Sequence, residues 1–543
     1  MTESAYAKGE DTPPLLEGTI GQTLAATAAE HPDAIALIDA VSDRQWTYRE
    51  FRQQVRALAC GLRRLGLQPG DRLALWSPNR WEWVMVQFAA AEAGLILVVL
   101  NPAYRRHEVK YALDLSGSTV AIAATSFRTS EYERMLDDVQ PDVPSLRESI
   151  VFESPRYAEL TGPPTEEELA ELDAVAATLH PDDPINIQFT SGTTGHPKGV
   201  TLSHTNIGNN GYTIGHLLEY TENDRICTPV PYYHCFGMVI ANLAAVAYGS
   251  AMVIPGPAFD PAASLAAVER YRCTSLYGVP TMFIAELGLL DSGGRYDLSS
   301  LRTGVMAGSP CPEAVMRRVI DEMHMSQVSI CYGMTETSPV STQTRMDDPL
   351  DLRVSTVGRV GPHLEIKVID PVGGQTLARG ETGEFCTRGY SVMAGYWNDP
   401  DKTAEVLSED GWMRTGDLAV MREDGYVQIT GRIKDLVIRG GENVYPREVE
   451  EFFYTHPDIV DVQVIGVPDA KYGEELMAWI RVREGAPEPT ADDLRAFAEG
   501  QISRHKIPKY VHVVESFPMT VTGKVRKVAM REEALGLLGL DEA

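Results

Sequence analysis

The feature that most constrains the fold is a repeated alternation of strand-like and helix-like segments. Residues 47–65 place apolar side chains at steps of three and four and begin with a capping-box pair, Thr47 and Glu50, so they predict an amphipathic helix. Strands and helices alternate over residues 72–123, and the alternation resumes over residues 225–279. This rhythm predicts an α/β fold with parallel β-α-β packing, in which helices cover both faces of the sheets.

Length and charge limit the class of protein further. The 543 residues are 44% hydrophobic and 23% charged, which is enough to bury more than one core. With 76 acidic and 48 basic residues, the formal net charge is -28, which argues against a nucleic-acid partner and against docking on anionic lipid. The seven cysteines are scattered without a CxxC pair, which favours a reducing, cytoplasmic compartment over a disulfide scaffold or a zinc site.

Neither a signal peptide nor a membrane span is predicted. The first residues contain acids and prolines and lack an apolar core segment. Residues 236–254 contain no Asp, Glu, Lys or Arg and approach the length of a membrane span, about 20 residues. Asn242 lies inside this stretch, and a Tyr-Gly-Ser sequence at residues 248–250 interrupts it. We therefore expect a buried helical piece followed by a short strand.

The sequence texture predicts three regions. Residues 1–17 are expected to form a loose N-terminal arm, and residues 18–432 a large domain. Near Asp351 the pattern changes to short strands with glycine turns, which predicts a small antiparallel β subdomain at the end of the large domain. Residues 433–543 alternate between short helices and strands over about a hundred residues, enough for a separate α+β domain.

Residues 189–200, FTSGTTGHPKGV, have the composition of a phosphate-binding loop. Glycines allow the backbone to approach a ligand closely, hydroxyl groups donate hydrogen bonds, and a lysine adds positive charge. These groups are Gly192, Gly195 and Gly199; Ser191, Thr193 and Thr194; and Lys198. The spacing is not that of a Walker loop, because His196 and Pro197 precede the lysine and Gly199 follows it. A flexible connector is the alternative.

Two further short motifs carry groups suited to a nucleotide. In CYGMTETSP, residues 331–339, Tyr332 can stack on a base, Thr335 can bond an oxygen, and Glu336 can coordinate Mg²⁺. A Thr-Glu pair on its own is also a common helix cap. In Thr-Gly-Asp at residues 415–417, the carboxylate of Asp417 can accept hydrogen bonds from both hydroxyls of a ribose, although such a sequence also forms ordinary turns.

Taken in order, these motifs closely resemble those of the adenylate-forming superfamily. That superfamily contains acyl-CoA synthetases, the adenylation domains of peptide synthetases and firefly luciferase. The matching segments are TSGTTGHPKG at 190–199, YYHCFG at 232–237, CYGMTETSP at 331–339, TGD at 415–417, GRIKDLVIRGGENVYPREVE at 431–450 and PMTVTGKVRK at 518–527. The resemblance extends from about residue 20 to about residue 530 and is strongest to fatty-acyl and medium-chain acyl-CoA ligases.

The resemblance implies a set of site residues. The ATP or AMP site would contain Thr190, Ser191, Gly192, Thr193, Thr194, Gly195, Lys198, Gly308, Ser309, Tyr332, Gly333, Asp417, Arg432 and Lys434. The catalytic residues would be Lys524, Glu336, Thr335 and His234, with Glu336 holding the metal; the acyl pocket would contain His234, Met306 and Gly308, and the CoA tunnel Gly440, Gly441 and Glu442. Many members read Gly-Gly-Ala where this chain reads Gly308-Ser309-Pro310, which leaves the adenine contacts open.

The resemblance also implies a reaction with ATP, Mg²⁺ and coenzyme A. A carboxylic acid would be converted to acyl-AMP with release of pyrophosphate, and the acyl group would then pass to coenzyme A after the C-terminal domain rotates about Lys434. An adenylating amide synthetase with an amine acceptor and an inactive nucleotide-binding sensor remain alternatives. The sequence does not decide the oligomeric state, and a homodimer stays open.

Overall fold

The computed structural model describes residues 3–190, 197–309, 311–520 and 525–540. The chain divides into two compact units. The first unit comprises Met1–Tyr6, Lys367–Cys386 and Arg414–Ala543, and the second comprises Ala7–Ile366 and Thr387–Met413. The predicted domain boundary between residues 432 and 433 lies inside the first unit and stays a prediction.

The strands of the described residues follow in chain order. They are β1 (Tyr6–Lys8), β2 (Ile35–Asp39), β3 (Arg44–Thr47), β4 (Arg72–Trp76), β5 (Ile96–Leu100), β6 (Val120–Ala123), β7 (Ser126–Phe127), β8 (Ser130–Glu131), β9 (Glu148–Val151), β10 (Pro184–Thr190), β11 (Lys198–Ser203), β12 (Arg225–Cys227), β13 (Ala251–Ile254), β14 (Ser275–Gly278), β15 (Thr303–Ala307), β16 (Gln327–Gly333), β17 (Val340–Gln343), β18 (Arg359–Val360), β19 (Leu364–Ile369), β20 (Thr382–Gly389), β21 (Gly395–Tyr396), β22 (Met413–Met421), β23 (Val427–Arg432), β24 (Val437–Arg439), β25 (Glu442–Val444), β26 (Ile459–Asp469), β27 (Gly473–Val482) and β28 (Tyr510–Val513).

The helices alternate with these strands over much of the chain. They are α1 (Ile20–Glu30), α2 (Tyr48–Arg64), α3 (Trp81–Glu92), α4 (Arg106–Ser116), α5 (Tyr132–Val139), α6 (Pro155–Leu160), α7 (Glu166–Ala176), α8 (His204–Leu217), α9 (Cys235–Gly237), α10 (Ala244–Ala247), α11 (Pro261–Tyr271), α12 (Pro280–Asp291), α13 (Glu313–Glu322), α14 (Leu350–Ser355), α15 (Pro400–Val406), α16 (Pro446–Phe453), α17 (Ala491–Ala498) and α18 (Lys527–Leu538). Short 3-10 turns occur at Gln140–Asp142, Thr335–Thr337, Ile433–Asp435 and Arg504–Lys506, and a π-helix at Met238–Leu243.

Two large sheets form the centre of the second unit. Within the described residues, one has seven strands in the order β21-β11-β10-β5-β4-β6-β9, and the other has nine in the order β18-β17-β16-β15-β14-β12-β13-β2-β3. Strands β4, β5, β6 and β9 are parallel neighbours, as are β12 to β16 where they pair. The predicted parallel β-α-β arrangement is confirmed.

Helix α2 shows how the sequence pattern sets the packing. The Thr47 hydroxyl accepts a hydrogen bond from the Glu50 amide at 3.2 Å, and the Glu50 carboxylate accepts from the Thr47 amide at 2.9 Å. This capping box satisfies donors that the first helical turn leaves unpaired. The side chains of Phe51, Val55 and Leu58, spaced by three and four residues, are all buried, so the helix covers the core with one face.

The uncharged stretch at residues 236–254 is divided into short elements. Helix α9 leads into the π-helix Met238–Leu243, α10 follows, and β13 ends the stretch inside the nine-stranded sheet. Among the residues that the structure describes, we find no helix with the length and apolar character needed to cross a bilayer. The predicted helix followed by a short strand is confirmed.

The first unit contains most of one sheet and all of another. One has the order β1-β19-β20-β22-β23, with β22 and β23 antiparallel. The other has the order β25-β24-β27-β26, with β28 parallel to β27. In the chain, α16 lies between β25 and β26, α17 lies between β27 and β28, and α18 follows β28. These are the predicted antiparallel subdomain and the predicted C-terminal α+β region, so the fold class is confirmed.

Residues 5–8 of the predicted loose arm are paired with a sheet. The Ala5 amide donates to the Leu377 carbonyl at 2.9 Å, and the Val368 amide donates to the Ala5 carbonyl at 2.9 Å. The Ala5 side chain is fully buried, and β1 continues from it as an edge strand. The sequence did not reveal this because backbone pairing needs no apolar pattern, and the acids and prolines around a three-residue strand obscure it.

Candidate active site

The ends of the glycine-rich loop are fixed by the sheet. Thr190 ends β10 and Lys198 begins β11, and the two are directly paired in the antiparallel register. The loop therefore leaves and rejoins the seven-stranded sheet at adjacent positions, which holds its ends close together. The predicted residues Ser191, Gly192, Thr193, Thr194 and Gly195, and the predicted catalytic Lys524, lie outside the described residues.

Lys198 and Glu336 are joined through one aromatic side chain. The Lys198 Nζ lies 4.5 Å from the centre of the Tyr396 ring, a cation–π distance. The Tyr396 hydroxyl donates to Glu336 Oε1 at 3.0 Å. The tyrosine thus contacts a predicted phosphate-binding cation with its face and a predicted metal ligand with its hydroxyl.

Tyr396 is held in place by backbone pairing and by burial. Strand β21 pairs with β11, so that Tyr396 lies opposite Val200, and the Met393 amide donates to the Glu336 carbonyl at 2.9 Å. Burial raises the pKa of Tyr396, and the neighbouring Glu336 carboxylate raises it further. The hydroxyl therefore keeps its proton and acts as a donor to Glu336 throughout the physiological pH range.

Glu336 has the character expected of a magnesium ligand. It lies in the 3-10 turn Thr335–Thr337 and is only 6% exposed. Mg²⁺ is typically bound by one or two carboxylates together with substrate phosphates, so a single buried carboxylate fits this ion. Within the described ranges, no cluster of three or more His, Cys, Asp or Glu side chains could hold a metal by itself.

The segment that precedes Glu336 is shaped by a close backbone approach. Tyr332 and Gly333 end β16, and both are half-buried. A Cβ atom on Gly333 would lie 1.7 Å from the Pro339 carbonyl oxygen, so no other residue fits there without a backbone shift. Thr335 is 6% exposed. The predicted residues of this motif are therefore brought together on one strand end and the turn after it.

His234 lies at the N-terminus of α9 with a defined tautomer. Its Nδ1 accepts a hydrogen bond from the Phe236 amide at 3.1 Å. In the neutral imidazole the proton is then on Nε2, which makes Nε2–H a hydrogen-bond donor. The half-buried ring can thus present a donor to an anionic group while remaining uncharged.

A buried glutamine connects the His234 turn to the strand before the glycine-rich loop. Gln188 lies on β10 and is 2% exposed. Its Oε1 accepts from the Cys235 amide and from the Cys235 thiol, each at 3.1 Å, and its Nε2 lies 2.9 Å from the Met238 sulfur. One carboxamide therefore links β10 to the residues on the C-terminal side of His234.

Met306, a predicted acyl-pocket residue, lies on β15. Met306 is fully buried and packs in a cluster with Phe283 and Leu287. Val305 and Ala307 belong instead to the larger core that contains His234's neighbour Phe236. Since successive side chains of a strand point to opposite faces, the structure does not bring Met306 together with this core. Gly308 follows with a φ of 89°, and Ser309 is half-buried.

In the first unit, Asp417 and Arg432 form an ion pair. They are directly opposite each other on β22 and β23, and Arg432 Nε donates to Asp417 Oδ1 at 3.0 Å. The aspartate is 8% exposed, whereas the arginine side chain is 65% exposed. The strand residue before the aspartate, Gly416, is held by the buried Glu384, whose Oε1 accepts from the Gly416 amide at 3.1 Å. The structure thus brings together the two residues that the resemblance pairs.

The predicted hinge and CoA residues follow closely in the chain. Lys434 is exposed in the 3-10 turn Ile433–Asp435, next to Asp435, which accepts from Arg531 of α18 at 2.6 Å. Gly440 and Gly441 form the turn between β24 and β25, and Glu442 begins β25. This segment is a hairpin with a two-residue turn.

Tyr396, Gln188 and Glu384 are candidate functional residues that the sequence analysis missed. Each is a polar or aromatic side chain inside a strand pattern, where burial is the default expectation. A signal was present for Glu384, because a carboxylate in the middle of a buried strand requires a partner. For Tyr396 and Gln188 the contacts depend on which distant segment lies opposite, and a single sequence does not reveal that.

Comparison with known proteins identifies the family. The family model described as AMP-binding enzyme matches residues 24–397, and the model described as AMP-binding enzyme C-terminal domain matches residues 448–524. YngI of Bacillus subtilis is 46% identical over 548 residues, covering 97% of this chain and 99% of that protein. The mitochondrial medium-chain acyl-CoA ligase ACSF2 of Danio rerio is 42% identical, covering 99% of this chain and 92% of that protein.

A solved structure gives the same result for the fold. The chain is similar to ATP-bound MatB from Rhodopseudomonas palustris, with a TM-score of 0.83, 29% identity, and coverage of 96% of this chain and 100% of that chain. The resemblance drawn from the motifs is therefore confirmed, and with it the prediction of an enzyme of the adenylate-forming superfamily. The chain belongs to the family of AMP-binding enzymes.

Proposed function

We propose that the protein is an ATP-dependent acid–thiol ligase that converts a hydrophobic carboxylic acid to its coenzyme A thioester. In the first step a carboxylate oxygen attacks the α-phosphorus of ATP and pyrophosphate leaves, giving acyl-AMP. In the second step the sulfur of coenzyme A attacks the acyl carbon, AMP leaves, and the thiol proton passes to solvent. The observation that carries this proposal is the Lys198–Tyr396–Glu336 arrangement next to the end of the glycine-rich loop.

The first step requires charge to be screened, because a carboxylate and a triphosphate repel each other. Lys198 and the loop hydroxyls would bind the phosphates. Glu336, oriented by Tyr396, would hold Mg²⁺, which when bound neutralises charge on phosphate oxygens. His234 would donate from Nε2 to the substrate carboxylate, which is already ionised at neutral pH and needs no general base.

The remaining residues have roles that we carry over from the motif resemblance. Asp417 would bind the ribose hydroxyls, with Arg432 orienting its carboxylate. Lys524 would stabilise the charge that develops on the α-phosphate and the carboxylate during adenylation. Lys434 would be the pivot of the C-terminal rotation between the two steps, and Gly440, Gly441 and Glu442 would border the path of the pantetheine arm.

The acid that we favour is a medium-chain fatty acid. Relatives that are named medium-chain acyl-CoA ligases align with nearly the whole chain. The core next to His234 is also apolar, since Phe236, Val239 and Ile240 are buried there. An acid with a second charged group on its chain would lose hydration in such surroundings, which costs free energy. A cytoplasmic location remains a prediction, in keeping with seven buried cysteines that are all in the free thiol form.

The test is a panel of straight-chain, branched and aromatic acids incubated with ATP and magnesium. AMP release is measured with coenzyme A, with an amine, and with neither acceptor. We expect acid-dependent exchange of pyrophosphate into ATP without an acceptor, and AMP release that rises on adding coenzyme A. Release with the amine alone would support the amide synthetase instead, and no exchange with any acid would support an inactive nucleotide sensor.

A further inference from the structure

The β24–β25 hairpin has a tip made of backbone alone. Arg439 pairs with Glu442 across the turn, and Gly440 and Gly441 occupy it with φ values of 61° and 89°. Both lie in the left-handed region, where a side chain would be strained, as a two-residue hairpin turn of this type requires. The shape of the tip is therefore set by what holds its backbone.

Arg439 holds that backbone through every nitrogen of its guanidinium. Nε lies 2.8 Å from one Glu475 oxygen, and Nη2 donates to the other at 2.9 Å. Nη1 donates to the carbonyls of His505 at 2.7 Å and Ile507 at 3.2 Å. The arginine is 16% and the glutamate 1% exposed in their side chains. A bidentate pair of this kind is strong and geometrically specific.

These contacts tie the tip to two other segments of the first unit. Glu475 lies on β27, and the carbonyls belong to the 3-10 turn Arg504–Lys506 and the residue after it. The Gly440 amide also donates to the Tyr472 carbonyl at 2.7 Å. The tip is therefore fixed at its base by the Arg439 side chain, together with the bond from the Ile438 amide to Glu474 at 2.7 Å, and at its first glycine by a backbone bond.

We propose that Arg439 is a positioning residue for the thioester-forming step: it fixes the Gly440–Gly441 tip so that the pantetheine arm of coenzyme A can pass. This inference rests on the proposed function. Arg439 acts through the hairpin and touches no reacting group, so adenylation does not depend on it. The acceptor step does depend on it, because a displaced tip would no longer offer the pantetheine arm the narrow backbone without side chains that it passes.

Arginine is required at this position for a geometric reason. A lysine ammonium can pair with Glu475, which avoids an unpaired buried carboxylate, but it is a point charge without the planar fork. It cannot bond both carboxylate oxygens and the two carbonyls together. Arg439→Lys therefore loosens the tip while leaving the charge balance unchanged. Arg483→Lys is the matched control, since Arg483 is exposed and donates to the Pro457 carbonyl at 3.1 Å.

The experiment separates the two half-reactions in the full-length protein. Adenylation is followed as acid-dependent exchange of pyrophosphate into ATP, and thioester formation is followed from supplied acyl-adenylate and coenzyme A. For Arg439→Lys we expect the KM for coenzyme A to rise about tenfold, which is the size expected for the loss of a charge-assisted hydrogen bond. The exchange of pyrophosphate into ATP should be unchanged. Arg483→Lys should match the original protein in both assays. Glu475→Gln should reproduce the pattern of Arg439→Lys.

A second measurement does not depend on activity. Hydrogen–deuterium exchange of the peptide spanning residues 437–444 should be faster in Arg439→Lys than in Arg483→Lys. Equal losses in both half-reactions, or unchanged exchange of this peptide, would overturn the role of Arg439. A protein that adenylates an acid but forms no thioester would instead refute the proposed acceptor, so the two failures are distinguishable.

Discussion

Replacing Tyr396 with phenylalanine tests whether Glu336 depends on its tyrosine partner. The substitution removes only the hydroxyl, which donates to Glu336 Oε1 at 3.0 Å. The ring beneath Lys198, 4.5 Å from Nζ, is kept, so the cation–π contact persists. The buried carboxylate therefore loses one donor while the position of the lysine is unchanged.

The magnitude follows from the charge and burial of the acceptor. Glu336 is 6% exposed, so little water can replace the lost donor. A hydrogen bond to a charged group contributes about 1.5–3 kcal/mol, which corresponds to about a tenfold to hundredfold change. We expect the rate of adenylation at limiting magnesium to fall within this range. Raising the magnesium concentration should recover part of the loss, because the ion itself helps to orient the carboxylate.

The assay is acid-dependent exchange of pyrophosphate into ATP, measured over a magnesium titration. Tyr390→Phe is the matched control, since its hydroxyl donates to the neutral Thr213 hydroxyl at 3.1 Å. This control should show the original magnesium dependence. If Tyr396→Phe also exchanges pyrophosphate normally at every magnesium concentration, Glu336 is not held for the metal by Tyr396, and the reasoning fails.

Two further predictions concern buried polar groups of the second unit. Gln188→Leu removes the acceptor for the amide and the thiol of Cys235. We expect slower pyrophosphate exchange and a free energy of unfolding that is lower by about 1–3 kcal/mol in denaturant. Cys235→Ser keeps both donors and should stay near the original protein in both measurements. Glu286 is 1% exposed, neither of its carboxylate oxygens has a hydrogen-bond partner among the described residues, and burial raises its pKa. The pKa of Glu286 is therefore higher in the folded protein than in the unfolded chain. Its contribution to the free energy of unfolding is fully present below the pKa of the unfolded chain. That contribution is lost as pH rises towards the folded-state pKa, by at most about 1.4 kcal/mol per pH unit. Glu286→Met should remove this slope and raise the free energy of unfolding at neutral pH; denaturant unfolding at several pH values checks it, and an unchanged slope would contradict it.

The sequence predicted the elements whose pattern is local. Helix α2 was predicted with its capping box, because period and caps are properties of neighbouring residues. The glycine-rich loop and the Thr335–Glu336 motif are local patterns too, and their roles in a nucleotide site remain predictions. These features need no information about what lies opposite in space.

The features that the sequence did not predict depend on distant pairing. Tyr396 and Glu336 are 60 residues apart, and they meet because β21 pairs with β11. The pairing of β1 with β19 joins segments still farther apart in the chain. A period-two pattern shows that Met306 and Ala307 point to opposite faces, but it does not say which face belongs to the acyl pocket.

The register of the nine-stranded sheet explains why motifs distant in sequence carry one chemistry. Ala307 on β15 pairs with Cys331 on β16 in a parallel register, so the segments that follow both strands leave the sheet at the same edge. One of these segments begins with Gly308, and the other leads to Glu336. Groups at the carboxyl ends of neighbouring parallel strands converge in this way in open α/β sheets. A shift of β16 by one residue along β15 would turn every side chain of β16 to the opposite face of the sheet. Such a shift is unfavourable because it would move the buried side chains of the strand out of the core.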